Sequence, residues 1–181
     1  MTSSFSISDR NLILTGYIGP EMAQLARQVA AQMNRSYVNV DSLIAERLDL
    51  SVDDIRNYFG ETRLKAVETE IISETALRRA HVIRVSGRTL AHEEHLARLS
   101  ATGPVVCAVV SLDLILHRLH VAMGARYHNP NERGIALSDL KREWAVRGMP
   151  GVNELDLTYM ETATAIEAII SVWQELAIQR A

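Results

Sequence analysis

Short apolar runs alternate with amphipathic helical patterns along almost the whole of this sequence, and that rhythm limits its fold more than any other feature. Asn11 to Thr15 is an apolar run that stops at Gly16. Tyr37 to Val40, His81 to Val85, Val105 to Val110 and Leu155 to Met160 repeat the theme. Between the first two, Met22, Leu25, Ala26, Val29, Ala30 and Met33 recur at helical spacing and give one apolar stripe. Further helices are expected at Leu43–Leu48, at Ser51–Phe59 ended by Gly60, and from Glu61 to Arg79. Others are expected at Thr89–Leu99, Leu112–Met123, Ser138–Val146 and Ala163–Gln179, with Gly124–Gly134 read as a polar, turn-rich stretch. Strands joined by helices at this spacing predict an α/β fold, a parallel five-stranded sheet with helices on both faces.

No internal repeat, low-complexity tract or linker divides the 181 residues, so residues 1–181 are read as a single domain. A formal net charge of −3 offers no basic field, which argues against nucleic-acid and anionic-membrane partners. The longest apolar run, Val105 to Val110, is far too short to span a bilayer. The opening Met-Thr-Ser-Ser-Phe-Ser lacks a basic segment followed by a long apolar one, so no secretory leader is expected there. Cys107 is the only cysteine, which excludes an internal disulfide and a cysteine-based zinc site and fits a cytoplasmic setting.

The chemistry is expected at the first turn. A strand, a glycine-bearing turn and a helix form a phosphate site when backbone N–H groups and the helix N-terminus converge on an anion. The working pattern, G-x-x-x-x-G-K-[ST], adds a lysine for the outer phosphates and a hydroxyl for magnesium. Here the segment runs Gly16, Tyr17, Ile18, Gly19, Pro20, Glu21, Met22, Ala23.

Two glycines three apart resemble the loop of the shikimate kinases, P-loop small-molecule kinases. In that register Glu21 stands at a glycine position, Met22 at the lysine and Ala23 at the hydroxyl residue. Further segments are similar to the family in order and approximate spacing. Asn39-Val40-Asp41 resembles its Asp-x-Asp, and Gly60 to Glu68 its Gly-Glu-x-x-Phe-Arg-x-x-Glu with Lys65 at the arginine. Ser86-Gly87-Arg88 resembles its triple glycine, Arg126 its lid arginine, and Arg147-Gly148-Met149-Pro150 its Arg-Asn-Pro-Leu-Tyr.

The resemblance implies a P-loop NTPase-like, shikimate kinase-like fold with a degenerate nucleotide site at Gly16, Gly19, Met22 and Ala23. It implies an acceptor site at Asp41, Lys65, Gly87 and Arg147, with Asp41 meeting hydroxyls and the two cations holding a carboxylate. Lysine in place of arginine keeps charge but loses the bidentate fork.

Three functions follow from this mixture. The first is a shikimate kinase-like chain without phosphoryl transfer that binds a small hydroxylated carboxylic acid as a sensor or regulator. The second is an active kinase with an aberrant nucleotide grip, needing ATP and magnesium, with Asp41 and Arg126 in catalytic roles and Arg133 nearby. The third is a module that engages a protein partner and keeps only a vestigial cleft. No metal site is expected, because His92 with His95 and His117 with His120 are spaced three apart rather than four and read as surface helix residues. Cys107, Trp144 and Trp173 read as packing residues.

Overall fold

The computed structural model describes residues 6–179. The opening residues on which the leader was sought therefore lie mostly outside the described residues. Five strands, β1 (Leu12–Tyr17), β2 (Ser36–Asn39), β3 (His81–Arg84), β4 (Val105–Val109) and β5 (Val152–Asp156), form one sheet in the order β2-β3-β1-β4-β5. Every pairing is parallel. The central strand β1 sets Leu12 against Val82 on one side and Gly16 against Ala108 on the other.

Among the described residues, eight α-helices connect and cover these strands: α1 (Met22–Gln32), α2 (Val40–Leu48), α3 (Val52–Thr75), α4 (Gly87–Leu90), α5 (Glu93–Ser100), α6 (Leu112–Met123), α7 (Pro130–Glu143) and α8 (Thr162–Gln179). Side chains on a strand alternate between faces, so β1 feeds two cores. Leu12 and Leu14 pack with Leu25, Val29, Ile115 and Ile169 on one face. Ile13 packs with Ile44, Ile55, Ile71 and Leu99 on the other. Each fully buried aliphatic side chain contributes about 1.5–3 kcal/mol, so both layers hold β1 rigidly in the middle.

Serine and asparagine caps fix where helices leave the sheet. Ser51, Ser86 and Ser111 accept from the N–H groups of Asp54, Thr89 and Leu114, and Asn129 accepts from that of Asn131. Gly60 interrupts α3 with a φ of 80°, so the expected stop at Phe59 survives as a kink inside one long element.

Three sequence expectations need correction. The helix expected over Thr89–Leu99 is two helices, parted where His92 takes an extended conformation ahead of α5. The helix expected from Ser138 begins at Pro130, because Asn129 caps it and Pro130 occupies its first turn. The last strand lies at Val152–Asp156, earlier than Leu155–Met160, pairing Cys107 with Glu154 and Ala108 with Leu155. Among the described residues no helix is long and apolar enough to cross a membrane.

Candidate functional site

The β1–α1 loop lies at the C-terminal edge of the sheet, where open α/β sheets hold their ligands. Gly16 is demanded by geometry: its φ is 93°, and a Cβ there would run into the Ala108 carbonyl oxygen on β4. Beyond it the loop faces two hollows. Ile18 borders a cavity of about 420 Å³, closed by Gln24 and Gln28 of α1, Val110, Arg118 of α6, and Leu157. Tyr17 borders a cleft of about 340 Å³ on the other side.

Around the loop, Met22 is 2 % exposed and packs in the core beneath α1. Glu21 caps α1 without a side-chain capping bond, and its Oε2 lies over Gly19, 2.6 Å from where a Cβ would stand. A carboxylate at a helix N-terminus suits the helix dipole, so Glu21 sits where an external anion would be drawn. Arg118 donates from Nη1 to the Ile18 carbonyl and lays its aliphatic stem beside Gly19.

The second cleft is lined by charge. Asp41 opens α2 at the end of β2, and Arg84 ends β3, so the adjacent strands deliver them side by side. Their ion pair spans 2.9 Å, with the Arg84 side chain only 10 % exposed. Burial nonetheless raises the Asp41 carboxyl above its ordinary value, against the pull of Arg84. Asp41 Oδ1 and Arg84 Nε are buried without hydrogen-bond partners, which leaves an acceptor and a donor unspent at the cleft wall.

Opposite them, Glu143 at the end of α7 accepts a 2.9 Å hydrogen bond from the Gly87 N–H. Burial pushes the Glu143 carboxyl up to about 7, although Arg84 and the Gly87 bond act the other way. Burial also raises the Tyr17 hydroxyl, with Glu143, Glu21 and Asp139 adding to the rise. Behind the wall, Glu68 is 2 % exposed and accepts from Thr89 Oγ1 at 2.9 Å and Arg88 Nη2 at 3.2 Å. Burial pushes its carboxyl up to about 7.

The structure brings together some of the residues singled out from sequence and separates others. Gly87 contacts Glu143, which lines the cleft together with Asp41. Lys65 is exposed on α3 and is not among the residues lining the cleft. Its charge lies beside His92 and His95, whose pKa values fall through burial first and Lys65 among the neighbouring charges. Arg147 reaches β5, donating to Glu154 from Nε at 3.1 Å and Nη2 at 2.9 Å, and stacks over Trp144. Arg142 lines the cleft instead, with Arg56 and Arg88. Arg126 pairs with Glu132 at 3.3 Å and is 69 % exposed, in a shallow hollow that also touches Pro20. Arg133 sits over the Tyr127 ring.

His95 corrects the surface reading of the helical histidines: it is fully buried and bonded to Thr69 Oγ1 and the Thr89 carbonyl. Among the described residues no group of three His, Cys, Asp or Glu side chains is placed to hold a metal ion. Sequence reasoning missed Arg84, Arg118 and Glu143. Only Arg84 carried a signal, as a charge inside the apolar run His81–Val85.

Comparison with known proteins places this arrangement in a family context. The shikimate kinase family model matches residues 23–168. The shikimate kinase of Thermodesulfovibrio yellowstonii is 27% identical over 127 residues, covering 68% of this chain and 73% of the relative. That of Geobacter sulfurreducens is 30% identical over 110 residues, 61% of each chain, so less than two thirds of that relative is spanned. Among solved structures, the shikimate kinase from Acinetobacter baumannii in complex with shikimate superposes with a TM-score of 0.72 at 19% identity. It covers 91% of this chain and 93% of its own, a likeness of fold.

Proposed function

The chain belongs to the shikimate kinase family, and from that premise we propose that residues 1–181 act as one domain that binds a small hydroxylated carboxylic acid of the shikimate class without transferring phosphate to it. One observation carries this reading: Met22, which stands at the lysine position of the phosphate loop, is a core side chain only 2 % exposed. A group packed there supplies no charge to a phosphate, and Ala23 supplies no hydroxyl to magnesium. Glu21, with its Oε2 over Gly19 at the N-terminus of α1, sets a negative charge where that helix end would otherwise draw a phosphate. On the acceptor side, a solved structural neighbour holds shikimate, and this chain's cleft offers Asp41 for hydroxyls and arginines for a carboxylate. Such a protein would serve as a sensor or regulator.

A second reading, an active ATP- and magnesium-dependent kinase, is favoured by Arg118. Its guanidinium reaches the loop from α6 and could replace the missing lysine as countercharge. Calorimetric titration separates the two. The binding reading expects shikimate to bind below about 1 mM, worth roughly 4 kcal/mol, and ATP–magnesium to bind in the millimolar range or not at all. Low-micromolar ATP–magnesium affinity together with ADP release in the presence of shikimate would establish the kinase.

A further inference from the structure

The cleft already contains a carboxylate that is bonded to a backbone N–H and interacts with a buried arginine. Glu143 Oε2 takes the Gly87 N–H at 2.9 Å, and its charge faces Arg84, the most buried cation of the wall. Arg84 is bonded to Asp41 on its other side, so its attraction is divided between two internal anions. Asp41 adds a like charge near Glu143, and the Cys107 thiol of β4 lies within reach of its field. Tyr17 approaches from β1 and Asp139 from the preceding turn of α7. Asp53 and Arg56 of α3, Arg88 of α4 and Arg142 of α7 complete the charged lining. The arginines and carboxylates of this lining balance, four of each, so an entering carboxylate leaves one negative charge in excess.

Building on the acid-binding reading, we infer that Glu143 is an internal competitor for the ligand's carboxylate, so that a hydroxylated acid enters the cleft together with one proton taken up by Glu143. The proton comes from solvent and settles on a Glu143 carboxylate oxygen; no other bond is made or broken. A protonated Glu143 keeps one oxygen able to accept from Gly87, so the wall stays intact while the repulsion disappears. Burial has already brought this carboxyl to about 7, so the proton is available near neutrality. The cleft thereby admits acids when the surroundings acidify and excludes them when they turn alkaline, while uncharged polyols are indifferent to pH.

The test is titration of the whole chain with shikimate in buffers of different ionisation enthalpy, from about pH 6 to about pH 8.5. The wild type is expected to take up close to one proton per ligand above pH ~7 and to lose about tenfold in affinity for each further pH unit. Glu143→Gln, which keeps an acceptor oxygen for Gly87, is expected to abolish the uptake and bind about tenfold tighter than wild type at pH ~8. Glu68→Gln is the discriminating arm, because that carboxyl also lies near 7. If Glu68→Gln removes the proton uptake and Glu143→Gln does not, the assignment to Glu143 is overturned. Binding without proton uptake overturns it as well, yet leaves the acid-binding reading standing. Absence of binding in wild type and Glu143→Gln at every pH ends both.

Discussion

Glu143 and Gly87 hold each other twice: the Glu143 carboxylate accepts from the Gly87 N–H, and the Glu143 main-chain carbonyl rests against the Gly87 Cα. This double contact sets the end of α7 on the start of α4 and so closes one wall of the cleft. Gly87 has no positive φ to satisfy; it is needed because a methyl group there would overlap the Glu143 carbonyl. Gly87→Ala is therefore expected to destabilise the fold by about 1–3 kcal/mol, the usual cost of overpacking. The shift in the urea midpoint would measure it, and a neutral substitution would show that α7 moves freely relative to α4.

Met22 gives a second test. Because its side chain is packed under α1, Met22→Lys should force an ammonium into an apolar layer at a cost on the order of several kcal/mol. The same change made together with Ala23→Ser restores the lysine and the hydroxyl of the phosphate loop, with Glu21 still at its glycine position, but not a side chain aimed at it, so no ADP release is expected. A stable, ATP-binding double variant would mean that the loop turns residue 22 outward with ease.

The pH dependence of stability follows from Glu68. Its carboxyl titrates near 4.5 in the unfolded chain but at about 7 in the fold, where burial penalises the charge. Between those values the folded state holds the extra proton, so this contribution is complete below about pH 4.5 and is lost as pH rises through about 7. Glu143 acts in the same direction. Glu68→Gln should flatten this part of the stability profile, a change on the order of 3 kcal/mol at most. Chemical denaturation at a series of pH values provides the measurement.

The layers of the fold and the phosphate-type loop were legible because their signals are local. Leu12 to Gly16 followed by the Met22 to Met33 stripe announces strand, turn and helix within about twenty residues. The edge strand β5 was less clear, since Glu154 and Asp156 break its apolar pattern where one side of the sheet meets solvent. The break at His92 has neither glycine nor proline to mark it. Of the residues singled out in the sequence, Asp41 lines this cleft and Gly87 is bonded to Glu143 on its wall. Arg84 meets Asp41 across 43 residues of sequence, Gly87 meets Glu143 across 56 and Arg118 meets Ile18 across 100. No local pattern encodes such partners; the parallel sheet order brings them together. The family resemblance pointed to Lys65 and Arg147, but α3 carries the first to the surface beside His92, and Glu154 holds the second at β5.

That difference in placement yields the last test. If an acid binds in the cleft beside Asp41, the cation that holds it should come from the cleft wall. Arg142 is on that wall, loosely paired with Asp139 at 3.1 Å and 44 % exposed, so its guanidinium can swing toward a ligand. Arg147 donates twice to one Glu154 oxygen and is stacked on Trp144, and freeing it would sacrifice both contacts. A charged hydrogen bond is worth about 1.5–3 kcal/mol, and partial exposure lowers that toward its lower end. Arg142→Ala is thus expected to weaken shikimate binding by about tenfold, whereas Arg147→Ala should change it by less than about twofold and act mainly on stability. Titration of both variants at a pH of ~6.5, where Glu143 is largely protonated, keeps the comparison free of its competition. A larger loss for Arg147→Ala would mean that the segment from Trp144 to Gly151 swings inward when ligand arrives, carrying Arg147 off Glu154 and into the cleft.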